Sequence, residues 1–184
     1  MGSGGAECKG DMTAPILIGL GANLPSRRHG PPVATLEAAL LALAERGLEI
    51  VARSDWWESA PVPASDQPWY VNGVVEVTTN LEPEGLLALL HSVEASFGRV
   101  RTAPNAPRIL DLDLLAYGEI LRVGPEPPLL PHPRLAERGF VLRPLAQIRP
   151  GWRHPATGLT VDELIALLPA GQLIRPFPQS AASG

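Results

Sequence analysis

Arg108-Ile-Leu-Asp111-Leu-Asp113-Leu114 is the stretch of this 184-residue chain that most constrains the fold. Its polar and apolar residues alternate, which predicts a β-strand with the leucines on one face and both aspartates on the other. Residues two apart on a strand face have α-carbons roughly 6–7 Å apart, so the carboxylates repel unless a cation lies beside them. Mg²⁺ commonly binds one or two carboxylates plus substrate phosphates, so the stretch indicates Mg-nucleotide chemistry. For Asp-x-Asp alone, an ordinary acidic surface is the favoured interpretation until the context of the motif agrees.

The segments around this strand predict a βαββαβ order of elements. Strands are expected over 15–21, 48–57, 70–79 and 111–117, and helices over 33–46 and 83–97, with loops at 58–69 and 99–108. A tight turn at 118–119 is expected to lead into a short hairpin partner over 120–123. This order predicts an α+β, ferredoxin-like antiparallel sheet with helices packed on it.

A C-terminal extension follows the second half of the sheet. Five prolines over 124–133 exclude a regular element there. A helical turn is expected at 134–137, a strand or buried segment at 140–148, and a short helix over 162–168 capped by Thr160. We expect one domain over 15–175, a disordered tail over 1–14 and a flexible C-terminus over 176–184.

Composition excludes several classes of function. The net charge of −4 argues against a nucleic-acid binder driven by bulk charge. Cys8 is the only cysteine, which fits a reducing compartment, and no apolar stretch has membrane-spanning length. No secretory signal is recognisable, so we expect a cytoplasmic protein that binds neither nucleic acid nor membranes.

Three groups of residues could carry chemistry. Arg99, Arg101 and Arg108 precede Asp111 and Asp113, and arginines beside acids can hold a polyphosphate and its metal. The alternative is a solvated loop with weak surface ion pairs.

The other two groups could bind a flat organic ligand and a phosphate. Tyr70 and Asn72 share a strand face and could stack on a heterocycle and bond its edge, unless they belong to the core. His132 lies between two prolines, followed by Arg138 and Phe140, which could supply a phosphate contact and an aromatic wall. A structural role for the histidine is the plainer alternative.

Taken together, the chain resembles a known family, the 6-hydroxymethyl-7,8-dihydropterin pyrophosphokinases of folate synthesis. The similar stretches occur in the family's order: Ile18-Gly-Leu-Gly-Ala-Asn23-Leu24, Asp66-Gln-Pro-Trp-Tyr70-Val-Asn72, Gly98-Arg99-Val-Arg101, Pro107-Arg108-Ile-Leu-Asp111-Leu-Asp113, Pro131-His132-Pro133 and Arg138-Gly-Phe140-Val-Leu-Arg-Pro-Leu. The resemblance extends from about residue 16 to 150. It implies transfer of the β,γ-diphosphate of ATP to the hydroxymethyl group of the reduced pterin, with release of AMP.

The resemblance also implies site residues. Two Mg²⁺ ions would bridge the ATP phosphates to Asp111 and Asp113. The ATP contacts would be Arg99 in a mobile catalytic loop, together with Arg101, Arg108, His132 and Arg138. The pterin would lie between Tyr70 and Phe140, with Asn72 at its edge and Ser59 and Val62 nearby. Glu94 matches an acidic family position toward the pterin, and members are usually monomers.

Two other functions compete with this interpretation. Polymerase-type nucleotidyl transferases also place acids on a ferredoxin-like sheet, but this chain has an aromatic pocket pair and no basic nucleic-acid face. A regulatory domain that only binds a small molecule would need a pocket, without metal ligands beside clustered arginines.

Overall fold

The structure, a computed structural model, describes residues 14–99, 104 and 106–178. Within these ranges it has six strands, four α-helices and one 3₁₀ turn. The strands are β1 (Ile16–Ala22), β2 (Glu49–Arg53), β3 (Trp57–Ser59), β4 (Tyr70–Thr78), β5 (Asp111–Tyr117) and β6 (Ile174–Pro176). The helices are α1 (Pro32–Glu45), α2 (Pro83–Ser96), α3 (Gly139–Ile148) and α4 (Val161–Ala166), and the 3₁₀ turn is Leu135–Glu137.

All strands form one antiparallel sheet in the order β5-β1-β4-β3-β6, and β2 pairs with β4 beside β3. The predicted α+β class with an antiparallel sheet is therefore confirmed. Strand β1 lies between β4 and β5, which brings the N-terminal strand, the Tyr70 strand and the Asp111 strand side by side. This placement assembles residues from three distant parts of the chain at one end of the sheet.

The first two helices form where the sequence predicts them. Each has a proline in its first turn, which costs no hydrogen bond there, and each is followed by a glycine with positive φ, Gly47 or Gly98. Leu36, Leu40 and Leu43 of α1 recur at helical spacing and are buried. With the matching residues of α2 they cover one face of the sheet.

The opposite sheet face carries a second apolar cluster. Leu17, Val74 and Leu115 of the sheet pack there against α3 and α4. As predicted, Leu110, Leu112 and Leu114 point into the first cluster, so the neighbouring aspartates lie on the α3 side. The extension after β5 therefore covers the sheet face that also presents Asp111 and Asp113.

The expected strand over 48–57 is in fact two strands. The chain breaks at Ser54, whose backbone N–H donates to the Val74 carbonyl and whose Oγ accepts from the Val74 N–H. The Trp56 ring then packs over Gly73, where an added Cβ would lie 2.6 Å from the ring. This bend lets β3 form within the region predicted as loop, and it brings Ser59 opposite Tyr70.

The hairpin partner predicted over 120–123 is also wrong. Arg122 forms only an isolated bridge, with Leu130. The backbone N–H of each residue donates to the backbone carbonyl of the other. The proline-rich segment thus pairs with Arg122. The Arg122 backbone N–H and carbonyl are then no longer available for a hairpin with β5.

The segment over 140–148, predicted as a strand or buried segment, is helix α3. Val141, Leu142 and Leu145 are buried at helical spacing, and Pro144 lies inside the helix, where it removes one backbone hydrogen bond. Arg149 at its C-terminal end donates from Nε to Glu76 on β4 at 2.7 Å, which fixes the helix on the sheet.

The last described element, β6, was not predicted. It pairs with β3, and the Phe177 N–H donates to the Trp56 carbonyl at 2.9 Å.

Thr160 caps α4 as expected, in a reciprocal capping box with Glu163. Of the predicted tail over 1–14 only residue 14 is described, and of the predicted flexible C-terminus over 176–184 only residues 176–178 are, the first of them in β6. In the described part of the chain, none of the helices has the length and apolarity to cross a bilayer.

Candidate active site

Two carboxylates project from neighbouring positions on β5. Asp111 pairs with Gly21 and Asp113 pairs with Gly19 of β1, so a glycine lies beside each carboxylate on the adjacent strand. Glycine places no side chain beside either acid, and an added Cβ would lie 3.3 Å from Leu115 at Gly19 and 3.1 Å from Asn72 Oδ1 at Gly21. Gly19, Gly21, Asp111 and Asp113 line a small cavity of about 30 Å³ together with Phe140.

Three arginines converge on these carboxylates. Arg99 Nη1 lies 2.8 Å from Asp111 Oδ1, and Arg108 Nη1 lies 2.8 Å from Asp111 Oδ2. Arg138 Nη1 lies 3.3 Å from Asp113 Oδ2, and its guanidinium carbon is 5.5 Å from the centre of the Phe140 ring. The predicted residues from three separate motifs therefore meet in one charged cluster.

The charge balance in the cluster favours a bound cation. Burial, and then the Asp111 charge, raise the pKa of Asp113 to about 6, against the opposing effect of the three arginines. Asp111 Oδ1 is buried and accepts no hydrogen bond from any described residue, although Arg99 is close. A divalent cation beside the two carboxylates would lower their mutual repulsion and could use this oxygen as a ligand.

Glu94 of α2 lies beneath the cluster. It is almost fully buried, accepts a hydrogen bond from the Leu112 N–H at 2.7 Å, and pairs with Arg99. Burial raises its pKa to about 7, opposed by the Leu112 hydrogen bond and by Arg99. Glu94 was expected to face the pterin; instead it supports Arg99 and the backbone between the two aspartates.

The raised pKa of Glu94 predicts a pH-dependent stability. The folded protein holds this proton more tightly than the unfolded chain, so the stabilisation is greatest below the ordinary value of 4.5 and is lost as the pH rises to about 7. Glu94→Gln should remove this loss. The free energy of unfolding of the variant should therefore rise relative to that of wild type as the pH increases across this range. Urea unfolding at about pH 4.5 and about pH 8 measures the difference. The exposed Glu119→Gln variant is the control, and an equal pH profile for Glu94→Gln and wild type would contradict the assignment.

His132 lies at the edge of the cluster. Burial, and then the neighbouring Arg138 charge, lower its pKa to about 4, so the ring is neutral near pH 7. Its Nδ1 accepts the Arg134 N–H at 3.2 Å, which assigns the remaining proton to Nε2. The ring can therefore donate one hydrogen bond without carrying charge.

A larger cavity of about 290 Å³ adjoins the carboxylates. All five residues predicted for the pterin line it, and they share it with part of the charged cluster: Ser59, Val62, Tyr70, Asn72, Phe140, Arg108, Asp111 and Arg138. Asn72 is buried, and its Nδ2 donates to Ser59 Oγ at 2.7 Å. One cavity thus extends from an aromatic, hydrogen-bonding end to a charged end.

One predicted site residue is not among the described residues, and two residues that line the larger cavity were not predicted. Arg101 falls outside the described residues. Arg134 and Gln67 line the larger cavity, although no role was predicted for either residue. The alternation of Asp-x-Asp and the arginine spacing carried the signal for the charged cluster. Gln67 lies within the quoted Asp66–Asn72 motif, but its spacing alone assigns it no role.

The arrangement offers two kinds of binding surface. A carboxylate pair surrounded by arginines suits a polyphosphate with its cation, and the neighbouring cavity admits a flat acceptor. The class of protein is therefore a phosphoryl-transfer enzyme on an antiparallel α+β sheet. The family model described as 7,8-dihydro-6-hydroxymethylpterin-pyrophosphokinase matches residues 17–150, and the chain belongs to that family. It transfers diphosphate from ATP to hydroxymethyldihydropterin in folate synthesis, which confirms the function implied by the motifs.

Similar proteins carry the corresponding name. The chain is 42% identical over 156 residues to a 2-amino-4-hydroxy-6-hydroxymethyldihydropteridine pyrophosphokinase of Methylorubrum extorquens, covering 84% of this chain and 94% of the relative. It is 41% identical over 160 residues to one of Pseudomonas aeruginosa, covering 86% and 94%. A Pneumocystis carinii folic acid synthesis protein is 37% identical over 79% of this chain, which spans only 19% of that longer relative.

Solved structures share the fold. Plasmodium falciparum HPPK-DHPS matches with a TM-score of 0.62 at 15% identity, covering 84% of this chain and 44% of that one. Its complex with pteroate matches with a TM-score of 0.61 at 14% identity. At this level of identity the likeness concerns the fold alone.

Proposed function

We propose that the diphosphate transfer takes place between the two ends of the larger cavity, with ATP held over Asp111 and Asp113 and the pterin between Tyr70 and Phe140. The observation that carries the proposal is the shared wall of this cavity, where Asn72 and Arg108 both contribute. The pterin hydroxyl oxygen bonds to the β-phosphorus of ATP, the bond to the α,β-bridging oxygen breaks, and AMP and the hydroxyl proton leave. Positioning and charge neutralisation are the main demands of such a transfer.

The carboxylates fit magnesium that arrives with the nucleotide. Within residues 14–99, 104 and 106–178, no group of three or more His, Cys, Asp or Glu side chains could hold a metal ion. Two carboxylates are nevertheless what Mg²⁺ uses when substrate phosphates and water complete its shell, and Asp111 Oδ1, which accepts no hydrogen bond from the described residues although Arg99 Nη1 lies 2.8 Å away, is an available oxygen ligand. We propose two Mg²⁺ ions at Asp111 and Asp113; when bound, Mg²⁺ supplies charge neutralisation and lowers the pKa of the attacking hydroxyl.

Metal removal tests this assignment. Protein treated with a chelator of divalent cations should make no AMP from ATP and the pterin, because the carboxylates and phosphates would repel each other. Added Mg²⁺ should restore turnover. Full activity in the presence of excess chelator would contradict the magnesium site.

The arginines and His132 are proposed to bind the ATP phosphates. Arg99, Arg108 and Arg138 already lie within ion-pair distance of the two aspartates, so a phosphate placed there has donors on several sides. Arg101 belongs to the same proposed set by its place in the Gly98–Arg101 motif. The neutral His132 ring offers one further donor at Nε2.

Asn72→Ala is expected to weaken pterin binding specifically. The amide would lose its contact to the ring edge and leave Ser59 without its donor, which costs about 1–3 kcal/mol when a buried group stays unpaired. The dissociation constant of the pterin should rise accordingly, while that of an ATP analogue stays close to wild type. Isothermal titration measures both constants. Asn80→Ala, at the exposed end beyond β4, is the control, and an unchanged pterin affinity in Asn72→Ala would contradict the pocket.

Other features remain proposals. The order β5-β1-β4-β2, with α1 and α2 in the connections, supports a ferredoxin-like core to which β3 and β6 are added. We propose one domain over 15–175 in a monomeric, cytoplasmic enzyme. No finding favours a nucleic-acid or membrane partner.

A further inference from the structure

Asn23, the first residue after β1, connects the two ends of the larger cavity through its own side chain. It is 1% exposed, and both ends of its amide have partners. Nδ2 donates to the Pro68 carbonyl at 3.1 Å and to Gln67 Oε1 at 3.3 Å. Oδ1 accepts the Arg108 N–H at 2.8 Å. One buried amide therefore joins the segment before β4 to the segment before β5.

The backbone at this point adds to the connection with Arg108. The Asn23 and Leu24 N–H groups both donate to the Arg108 carbonyl, at 3.0 and 3.2 Å. Arg108 thus has its N–H and its C=O bonded to the same short stretch, while its guanidinium contacts Asp111. The position of the Arg108 side chain depends on this anchored backbone.

The other partners of Asn23 belong to the pterin end. Gln67 and Pro68 lie three and two residues before Tyr70, and Gln67 Oε1 lies 3.4 Å from the Tyr70 hydroxyl. A second link runs from the Tyr70 hydroxyl to the Ala106 carbonyl, at 3.3 Å. Any shift of the Gln67-Pro68 segment on pterin binding therefore acts on Asn23, and through it on Arg108.

Only an amide of this length satisfies both sides. Aspartate keeps an acceptor for the Arg108 N–H but has no donor for Pro68, and alanine has neither. Loss of the amide would leave the Arg108 N–H and the Pro68 carbonyl without this side-chain partner.

We propose that Asn23 is a positioning residue that couples nucleotide binding to pterin binding. This inference rests on the proposed placement of ATP at Arg108 and of the pterin at Tyr70. A nucleotide held by Arg108 fixes the backbone to which Asn23 is bonded, and Asn23 in turn fixes the Gln67-Pro68 segment beside the pterin. Because binding linkage is reciprocal, the pterin must tighten nucleotide binding by the same factor.

The test measures this coupling factor directly. The dissociation constant of the Mg²⁺ complex of α,β-methylene-ATP is measured by calorimetry without the pterin and with saturating 6-hydroxymethyl-7,8-dihydropterin. The variants are Asn23→Ala, which removes all three side-chain bonds, and Asn23→Asp, which keeps only the acceptor for Arg108. Ser26→Ala is the matched control, because Ser26 Oγ accepts from Arg28 and His29 in the same connection without contacting either segment.

We expect a coupling factor in the range of about 5–150 for wild type and for Ser26→Ala, falling below about 2 in both Asn23 variants. In steady state, kcat should fall at least tenfold in Asn23→Ala, which is about the cost of leaving one polar group unpaired. The KM for each substrate should change less than kcat. Wild-type coupling in Asn23→Asp would overturn the inference even if Asn23→Ala does not fold, and so would a wild-type protein without coupling. Failure of wild type to bind either ligand would instead overturn the proposed function.

Discussion

Asp111→Asn and Asp113→Asn should each lower kcat/KM by about 10²–10³-fold, the loss typical of removing one group that stabilises developing charge. Each substitution keeps the size of the side chain and removes one of the two negative charges proposed to bind Mg²⁺. Affinity for an Mg-ATP analogue should fall in parallel, while pterin affinity stays close to wild type because Tyr70, Asn72 and Phe140 are untouched.

The controls for these variants must separate charge from folding. Asp111 pairs with two arginines and Asp113 with a third, so each variant weakens the pairing of partly buried cations and should also lower stability, although Arg99 keeps its pair with Glu94. Thermal unfolding of each variant, compared with the exposed Asp162→Asn, measures that effect. Turnover within a few fold of wild type in a folded variant would contradict the metal assignment.

Arg99→Ala should reduce kcat by about 10²–10³-fold with little change in pterin affinity. Arg99 contacts Asp111 and Glu94 but lies outside the lining of the pterin cavity, so its loss removes positive charge from the phosphate end alone. The fold should survive, because Glu94 has a pKa of about 7 and can take up a proton when its partner is removed.

Two further variants test what Arg99 supplies. Arg99→Lys keeps the charge but replaces the planar group with a single ammonium, so recovery of only part of kcat would indicate that several donors are needed. Arg122→Ala, which breaks an ion pair with Glu84 away from the site, should leave kcat unchanged. Equal losses of kcat and of pterin affinity in Arg99→Ala would indicate a structural role instead.

The sequence predicted the parts of the fold that depend on local periodicity. Both long helices and the alternation of β5 followed from residue spacing, and the latter placed Asp111 and Asp113 on one face. Helix α3 was missed because its apolar run contains Pro144, which reads against a helix, and its position depends on the Arg149–Glu76 contact across the sheet. Strand β6 is three residues long and exists only because β3 offers it an edge.

The site divides in the same way. The sequence alone allowed a chemistry to be assigned to the charged and aromatic residues in motifs. The five residues predicted for the pterin do line one cavity. The roles of Glu94 and Asn23 depend on burial and on partners distant in sequence, so no spacing pattern could reveal them. Asn23 in particular matters for what its amide joins, 45 residues away at Pro68 and 85 residues away at Arg108.

The most direct test of the central claim is an analysis of the nucleotide product. The protein is incubated with Mg-ATP and 6-hydroxymethyl-7,8-dihydropterin, and AMP is separated from ADP by chromatography. Diphosphate transfer predicts AMP in equal amount to the pterin diphosphate, formed only when both the pterin and Mg²⁺ are present. Formation of ADP in place of AMP, or of AMP without the pterin, would contradict the account.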